Sequence, residues 1–350
     1  MQHLSICALA AVFALLTGPI AGARETAQNQ TPNPADVEAM LAALPDQAPV
    51  APHRPRRVLV LGKALGYVHA SIPLAARTIE EMGRKTGAWS TTVTYDPADI
   101  NAKTLAQYDA LVLASTSGPF LDDPEDAAVT AARRQALLDF VRGGKGLAGI
   151  HAATVGYYQT LPAPEASPPP APVSPPAPPV SPPPLGPNGF PIQPPATQLG
   201  PDRVVSTWPE FSRLLGGIFK FHWNDGQVVT VKVEEPDHPL NAPFRGQPPL
   251  RVMDETYTFA REFYSRRNVR VLTSVDYAAM STEDKAKEQY PRPDHDYPLS
   301  WIRREGQGRV FYEAHGHGER VYAIQPFLVH LLYGMQYVLG DMEVDDRPRP

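Results

Sequence analysis

Cysteine is all but missing from this 350-residue chain, and the single one, Cys7, lies in the first apolar run. The body of the protein therefore has no disulfide, no thiolate metal ligand and no cysteine nucleophile. An excess of positive charge is also lacking. Lys and Arg number 32 against 37 Asp and Glu, a net charge of -5, and no basic stripe is visible. That argues against nucleic acid as a partner. Beyond the N-terminus no apolar run is long enough to cross a bilayer, so no stable membrane span is expected. The dinucleotide fingerprint G-x-G-x-x-G is absent as well. Gly62 and Gly66 follow an apolar run at the wrong spacing, with no acidic ribose ligand after them.

Proline is what the chain has in excess, 41 residues, concentrated in one place. Residues 160–203, with their APPVSPPP-like runs, read as an extended surface insertion that holds no core. Residues 1–23 read as a secretory signal, with apolar Leu4 to Leu16 and a small-residue Ala21-Gly22-Ala23 site. A secreted or periplasmic location follows as the expectation. Residues 24–55 read as linker, with one helical pattern at Pro34 to Leu44. The single domain is expected over 56–340, and 341–350 as a fraying tail.

Within the domain, Val58 to Leu61, Thr91 to Tyr95, Tyr108 to Ala114 and Gly146 to Ile150 read as strands. Helical patterns at Ile72 to Gly83, Ala102 to Tyr108 and Asp126 to Gly143 alternate with them. This order predicts an α/β fold with a doubly wound, mainly parallel, flavodoxin-like sheet. Further strands are expected at Val228 to Val233 and Val269 to Val275. Leu299 to Arg303 and Arg309 to Tyr312 read as a hairpin, and Val321 to Leu339 as the last helix.

The stretch GLAGIHAAT, Gly146 to Thr154, organises the function. A buried strand stops abruptly at His151, and open parallel sheets bind ligands outside such carboxyl ends. Hydrolases place Ser at a turn of this kind, and amidotransferases Cys. His151 has neither beside it, so acyl-enzyme chemistry is not expected here. His69, His222, His315 and His317 also fall at element ends, and Asp254-Glu255 interrupts a strand. Histidine with carboxylate suits a divalent ion such as Zn, and equally general acid/base work. Trp223, Tyr257 and Trp301 are aromatics able to stack on a sugar or simply to fill core.

The pieces RVLVLGKALGYVHAS, YDALVLAST, GGKGLAGIHAAT, WPEFSRLLGGIFKFHW, DETYTF and YPLSWIRREGQGRVFYEAHGHG occur in that order. Together they resemble the ThuA-like (trehalose utilisation) family from about Arg57 to Gly340. The resemblance implies a sheet similar to class I glutamine amidotransferases without their cysteine. It also implies a small-molecule carbohydrate partner, trehalose or a keto-sugar derivative. By motif, the family's polar positions fall on His69, His151, His222, Glu255 and His317, which are the metal candidates. His151 and Glu255 are the expected catalytic pair; His69, His222, Tyr257 and His317 are expected to bind substrate. The reaction would be a hydrolysis, lysis or isomerisation. The alternative is a non-catalytic carbohydrate-binding module or scaffold. Two departures stand out: Tyr157 and Tyr158 with the proline insertion follow GIHAAT, and Tyr297-Pro298 replaces the usual His-Pro.

Overall fold

A computed structural model describes residues 28–160, 204–223, 226–288 and 291–350. The signal-like segment 1–23, and the proline-rich insertion apart from Thr160, lie outside the described residues. In chain order the strands are β1 (Arg57–Leu61), β2 (Ser90–Thr94), β3 (Ala110–Ala114), β4 (Gly146–Ile150), β5 (Tyr158–Thr160), β6 (Val204–Ser206) and β7 (Phe219–His222). There follow β8 (Val228–Val233), β9 (Arg251–Met253), β10 (Tyr257–Phe259), β11 (Arg270–Val275), β12 (Pro298–Glu305) and β13 (Gly308–Glu313). The helices are α1 (Pro34–Ala43), α2 (Ile72–Thr86), α3 (Ala102–Leu105), α4 (Ala127–Arg142), α5 (Pro209–Leu215), α6 (Thr282–Ala286) and α7 (Gln325–Val338).

One nine-stranded sheet dominates, in the order β2-β1-β3-β4-β13-β12-β11-β8-β9. Its first five strands are mutually parallel. With β13 taken as the fifth, their order is the flavodoxin-like 2-1-3-4-5. The other four strands extend the sheet with antiparallel pairs. Strands β3 and β4 are buried along their whole length, as expected of strands covered on both faces. Gly146 admits α7 to the sheet: a Cβ there would sit 2.3 Å from the Val338 carbonyl oxygen. Helix α4 starts at Asp126, whose carboxylate accepts from the Ala128 and Val129 amides.

Three expectations need correction. The segment read as linker, apart from a helix able to pack on the body, is tied down past that helix too: Met40 and Leu44 are buried, and Gln336 of α7 bonds both backbone groups of Val50. The tail does not fray. Buried Asp341 pairs with Arg56 and accepts from the His53 amide, while Asp345 pairs with Arg270. Composition could not show this, because the ties reach far along the chain. The last helix is broken. Glu319–Ala323 forms a 3₁₀ turn, Ile324 is extended, and α7 begins with Pro326 in its first turn. Proline lacks the amide a continuous helix needs there.

The insertion leaves and re-enters the body at one point. Strands β5 and β6 pair antiparallel, with Thr160 opposite Val204.

Candidate functional site

Four loops meet at the carboxyl ends of β1, β4 and β13. His151 directly follows β4 with φ at +45°, a left-handed conformation that side chains other than glycine rarely adopt. Ala152 and Ala153, both fully buried, leave room for the tight 3₁₀ turn that follows. The His151 ring is fixed from β13: Nδ1 lies 2.7 Å from the Ala314 carbonyl oxygen. Tyr312 Oη donates to the His151 carbonyl at 2.7 Å. A carbonyl only accepts, so Nδ1 carries the hydrogen, which frees Nε2 to offer a lone pair to the site.

His151 Nε2 faces polar atoms from two other loops. His69, from the loop after β1, places Nε2 at 3.2 Å from His151 Nε2. Glu255, between β9 and β10, places Oε2 at 3.5 Å from the same atom and 3.1 Å from His317 Nδ1. One ligand atom from each of His69, His151, Glu255 and His317 lies within 4.8 Å of all the others. Zinc bonds of about 2.0–2.1 Å give a tetrahedron with edges of roughly 3.3 Å. The three separations of 3.1 to 3.5 Å match those edges. His151 also shows the usual outer arrangement of a metal-bound histidine, its second nitrogen donating to a carbonyl. The donor set therefore fits a divalent cation.

His222 stands just outside this group. Its Nδ1 is 3.0 Å from Glu255 Oε1 and 3.0 Å from the Trp223 carbonyl oxygen. It steadies the carboxylate oxygen that faces away from His317. Asp254, fully buried, works from the other side. Its carboxylate accepts the backbone amides of Gly316 (2.7 Å), His317 (3.2 Å) and Gly318 (3.0 Å). Ser71 Oγ donates to the Gly316 carbonyl at 2.6 Å. Gly316 has φ of +135°, and a Cβ there would press on Tyr322 Oη and Ile150. The loop bearing His317 is thus tied at each of three successive residues.

The electrostatics follow from this packing. Burial pushes the Glu255 carboxyl up, but the surrounding histidines, His151, His222 and His317, outweigh it and hold the carboxyl far below its usual range. Burial, with His151 and His317 adding to it, pushes His69 well below the ordinary histidine value. Burial also opposes charge on His222, yet its bond to Glu255 raises it above the ordinary value.

The five polar positions expected to converge do so. Tyr257 is placed differently from expectation. It is buried beneath His151, ring centroids 4.1 Å apart, and has no face open for a sugar. Trp223 and Trp301 are likewise core, 1% and 0% exposed. His222 lies outside the four-residue ligand set. His315 points away from the site, its Nδ1 2.8 Å from Glu313. The sequence offers Asp254 only as a carboxylate beside Glu255, not as the holder of the His317 loop, since its partners lie more than 60 positions away. The only signal was its place beside Glu255 in DETYTF.

Residues 57–170 and 201–338 match the family model ThuA, described as trehalose utilisation. The match breaks across the proline-rich stretch. Among solved structures the chain is similar to a ThuA-like protein from Bacteroides uniformis ATCC 8492. Identity is 17%, the TM-score 0.51, and the alignment covers 82% of this chain and 92% of that one. A ThuA-like protein from Parabacteroides merdae ATCC 43184 aligns at 16% identity and TM-score 0.47, covering 82% and 90%. At such identities the first likeness speaks to the fold alone. No curated protein matches the chain.

Proposed function

The chain belongs to the ThuA family, and from that premise we propose that it is a carbohydrate-processing enzyme centred on a divalent cation held by His69, His151, Glu255 and His317. Zinc suits the donor set best. The observation that carries this reading is the meeting of two histidine Nε2 atoms, one of them His151's lone pair, with a buried carboxylate. A divalent cation satisfies these atoms together. A module that only binds sugar has no use for such an arrangement.

A bound divalent cation supplies polarisation of a sugar carbonyl or a water of lowered pKa. The chain's own residues supply the rest. Asp254 and Ser71 hold the His317 loop, and Ala314 fixes the tautomer of His151. His151, expected as the acid/base residue, is better placed as a ligand, because it is fully buried and both its nitrogens are engaged. Proton exchange then falls to His222. Its side chain is 39% exposed, it touches Glu255, and its pKa lies above the ordinary value. The substrate class is a sugar bearing a carbonyl, as in a keto-derivative of a disaccharide, and the family supports it.

The test is elemental analysis of the purified chain, with turnover of trehalose and 3-keto-disaccharides before and after chelation. About one equivalent of metal per chain is expected, with activity lost on chelation and restored by zinc. Metal-free protein that stays empty after dialysis against zinc, and turns over a sugar unaffected by chelator, would overturn the cation.

A further inference from the structure

The histidines and Glu255 account for the floor of the site but not for its rim. Tyr67 and Val68 are the most exposed large apolar side chains among the described residues, at 55% and 48%. They are consecutive and immediately precede His69. The Tyr67 ring lies edge-on to His69, centroids 4.7 Å apart. It runs within 18° of parallel to the His317 ring at 6.4 Å. An uncovered aromatic ring therefore stands directly against two of the four proposed ligands.

The ring is presented on a pinned backbone. The Leu65 and Gly66 amides donate to the Ser117 carbonyl at 2.9 and 3.3 Å. Ser117 Oγ donates to the Tyr67 carbonyl at 2.7 Å. The loops after β1 and β3 press so closely that a Cβ on Gly118 would lie 2.5 Å from the Gly66 nitrogen. Exposed apolar side chains are ordinarily scattered and loosely held. An aromatic held rigidly costs little further ordering when a ligand lands on it.

We propose that Tyr67, with Val68 beside it, is the platform that receives the C–H face of a pyranose ring and aims the sugar's oxygens at the His69–His151–Glu255–His317 group. A pyranose has an apolar face and a polar rim, and the site offers an apolar ring beside a polar cluster. The inference rests on the carbohydrate reading above and assigns the substrate contact within it.

The experiment is calorimetric titration of the zinc-loaded full chain with trehalose, maltose and methyl α-glucopyranoside. The wild type, Tyr67→Ala, Tyr67→Trp and Val68→Ser are compared. With the best-bound sugar, Tyr67→Ala should weaken binding about 10-fold and Tyr67→Trp less than about 3-fold, with Val68→Ser between them. Zinc content and melting temperature should not move, since the side chains are exposed. A Tyr67→Ala protein that holds zinc and binds sugar as tightly as wild type overturns the platform alone and leaves the carbohydrate reading standing. A zinc-loaded wild type that binds none of the three sugars, nor a 3-keto-disaccharide titrated beside them, overturns the carbohydrate reading, and the platform with it.

Discussion

Two groups of histidine and carboxylate lie on either side of Gly316, and they are built for opposite ends. One is His69, His151, Glu255 and His317. The other is Glu313, His315 and His330, with Ser300 and Thr273. Both are composed of the same residue types, and most members of both are buried. In the second group the polar atoms close on the protein. Glu313 Oε1 accepts both the His315 amide (3.1 Å) and its Nδ1 (2.8 Å). His330 Nδ1 donates to the Leu240 carbonyl at 3.2 Å, so its Nε2 accepts from Ser300 Oγ at 3.0 Å. Thr273 Oγ1 then donates to Ser300 at 2.6 Å. Only His315 Nε2 in that group lacks a partner. In the first group one ligand atom from each residue lies within 4.8 Å of all the others. Composition and burial do not tell a site from a core network; the direction of the lone pairs does.

The sharpest way to break this contrast is to truncate each carboxylate in turn. Glu255→Ala should weaken zinc binding on the order of 100-fold or more and abolish turnover. Glu313→Gln should leave zinc stoichiometry at wild-type level in the same metal analysis. Equal loss of zinc from both variants would erase the distinction. The stability readout should run the other way. Glu313→Gln removes half of a buried ion pair and should cost about 3 kcal/mol in urea denaturation, well beyond the loss for Glu255→Ala.

Asp254 joins the two groups, because it holds the peptide between His315 and His317. Asp254→Asn should keep the fold but lower zinc affinity by roughly 10-fold, the size expected of an outer-shell partner. Cobalt substitution gives the second readout: the visible spectrum should shift if the ligand geometry relaxes. An unchanged spectrum and affinity would reduce Asp254 to a loop staple.

The smallest effect is a matter of pH. Burial, its largest influence, lowers His330 below the usual histidine value of 6.5. Below that value the unfolded chain takes up a proton that the folded chain refuses. Stability is thus full above about pH 6.5 and falls as the solution is acidified, by ~1.4 kcal/mol per pH unit at most. His330→Gln should flatten that limb of a melting-temperature profile. A slope of wild-type steepness in the variant would assign the acid loss elsewhere.

Much of the fold was legible because its signals are local. Val58–Leu61 and Leu111–Ala114 are unbroken apolar runs, and Asp126 and Gly216 sit where caps belong, whereas the helix expected to stop at Gly83 runs on to Thr86 and is capped by Gly87. The convergence of His69 and His151 follows from the rule for strand ends alone. What stayed hidden depends on distant partners. Asp341 reaches Arg56, Gln336 reaches Val50 and Asp254 reaches Gly316, and no local pattern marks these ties. Tyr257, Trp223 and Trp301 were ambiguous for another reason. An aromatic beside a polar motif fits a pocket wall and a core equally, and only packing decides which.

The pairing of Thr160 with Val204 makes this chain a natural mount for foreign cargo. Whatever connects the two residues begins and ends one ladder rung apart, so its length hardly matters to the body. The mount is also close to the chemistry. The Tyr158 ring of the same strand lies 5.2 Å from Phe219, which lies 4.6 Å from Tyr257, the ring beneath His151. A domain spliced between Thr160 and Val204 would be joined to a strand whose Tyr158 lies three aromatic contacts from His151.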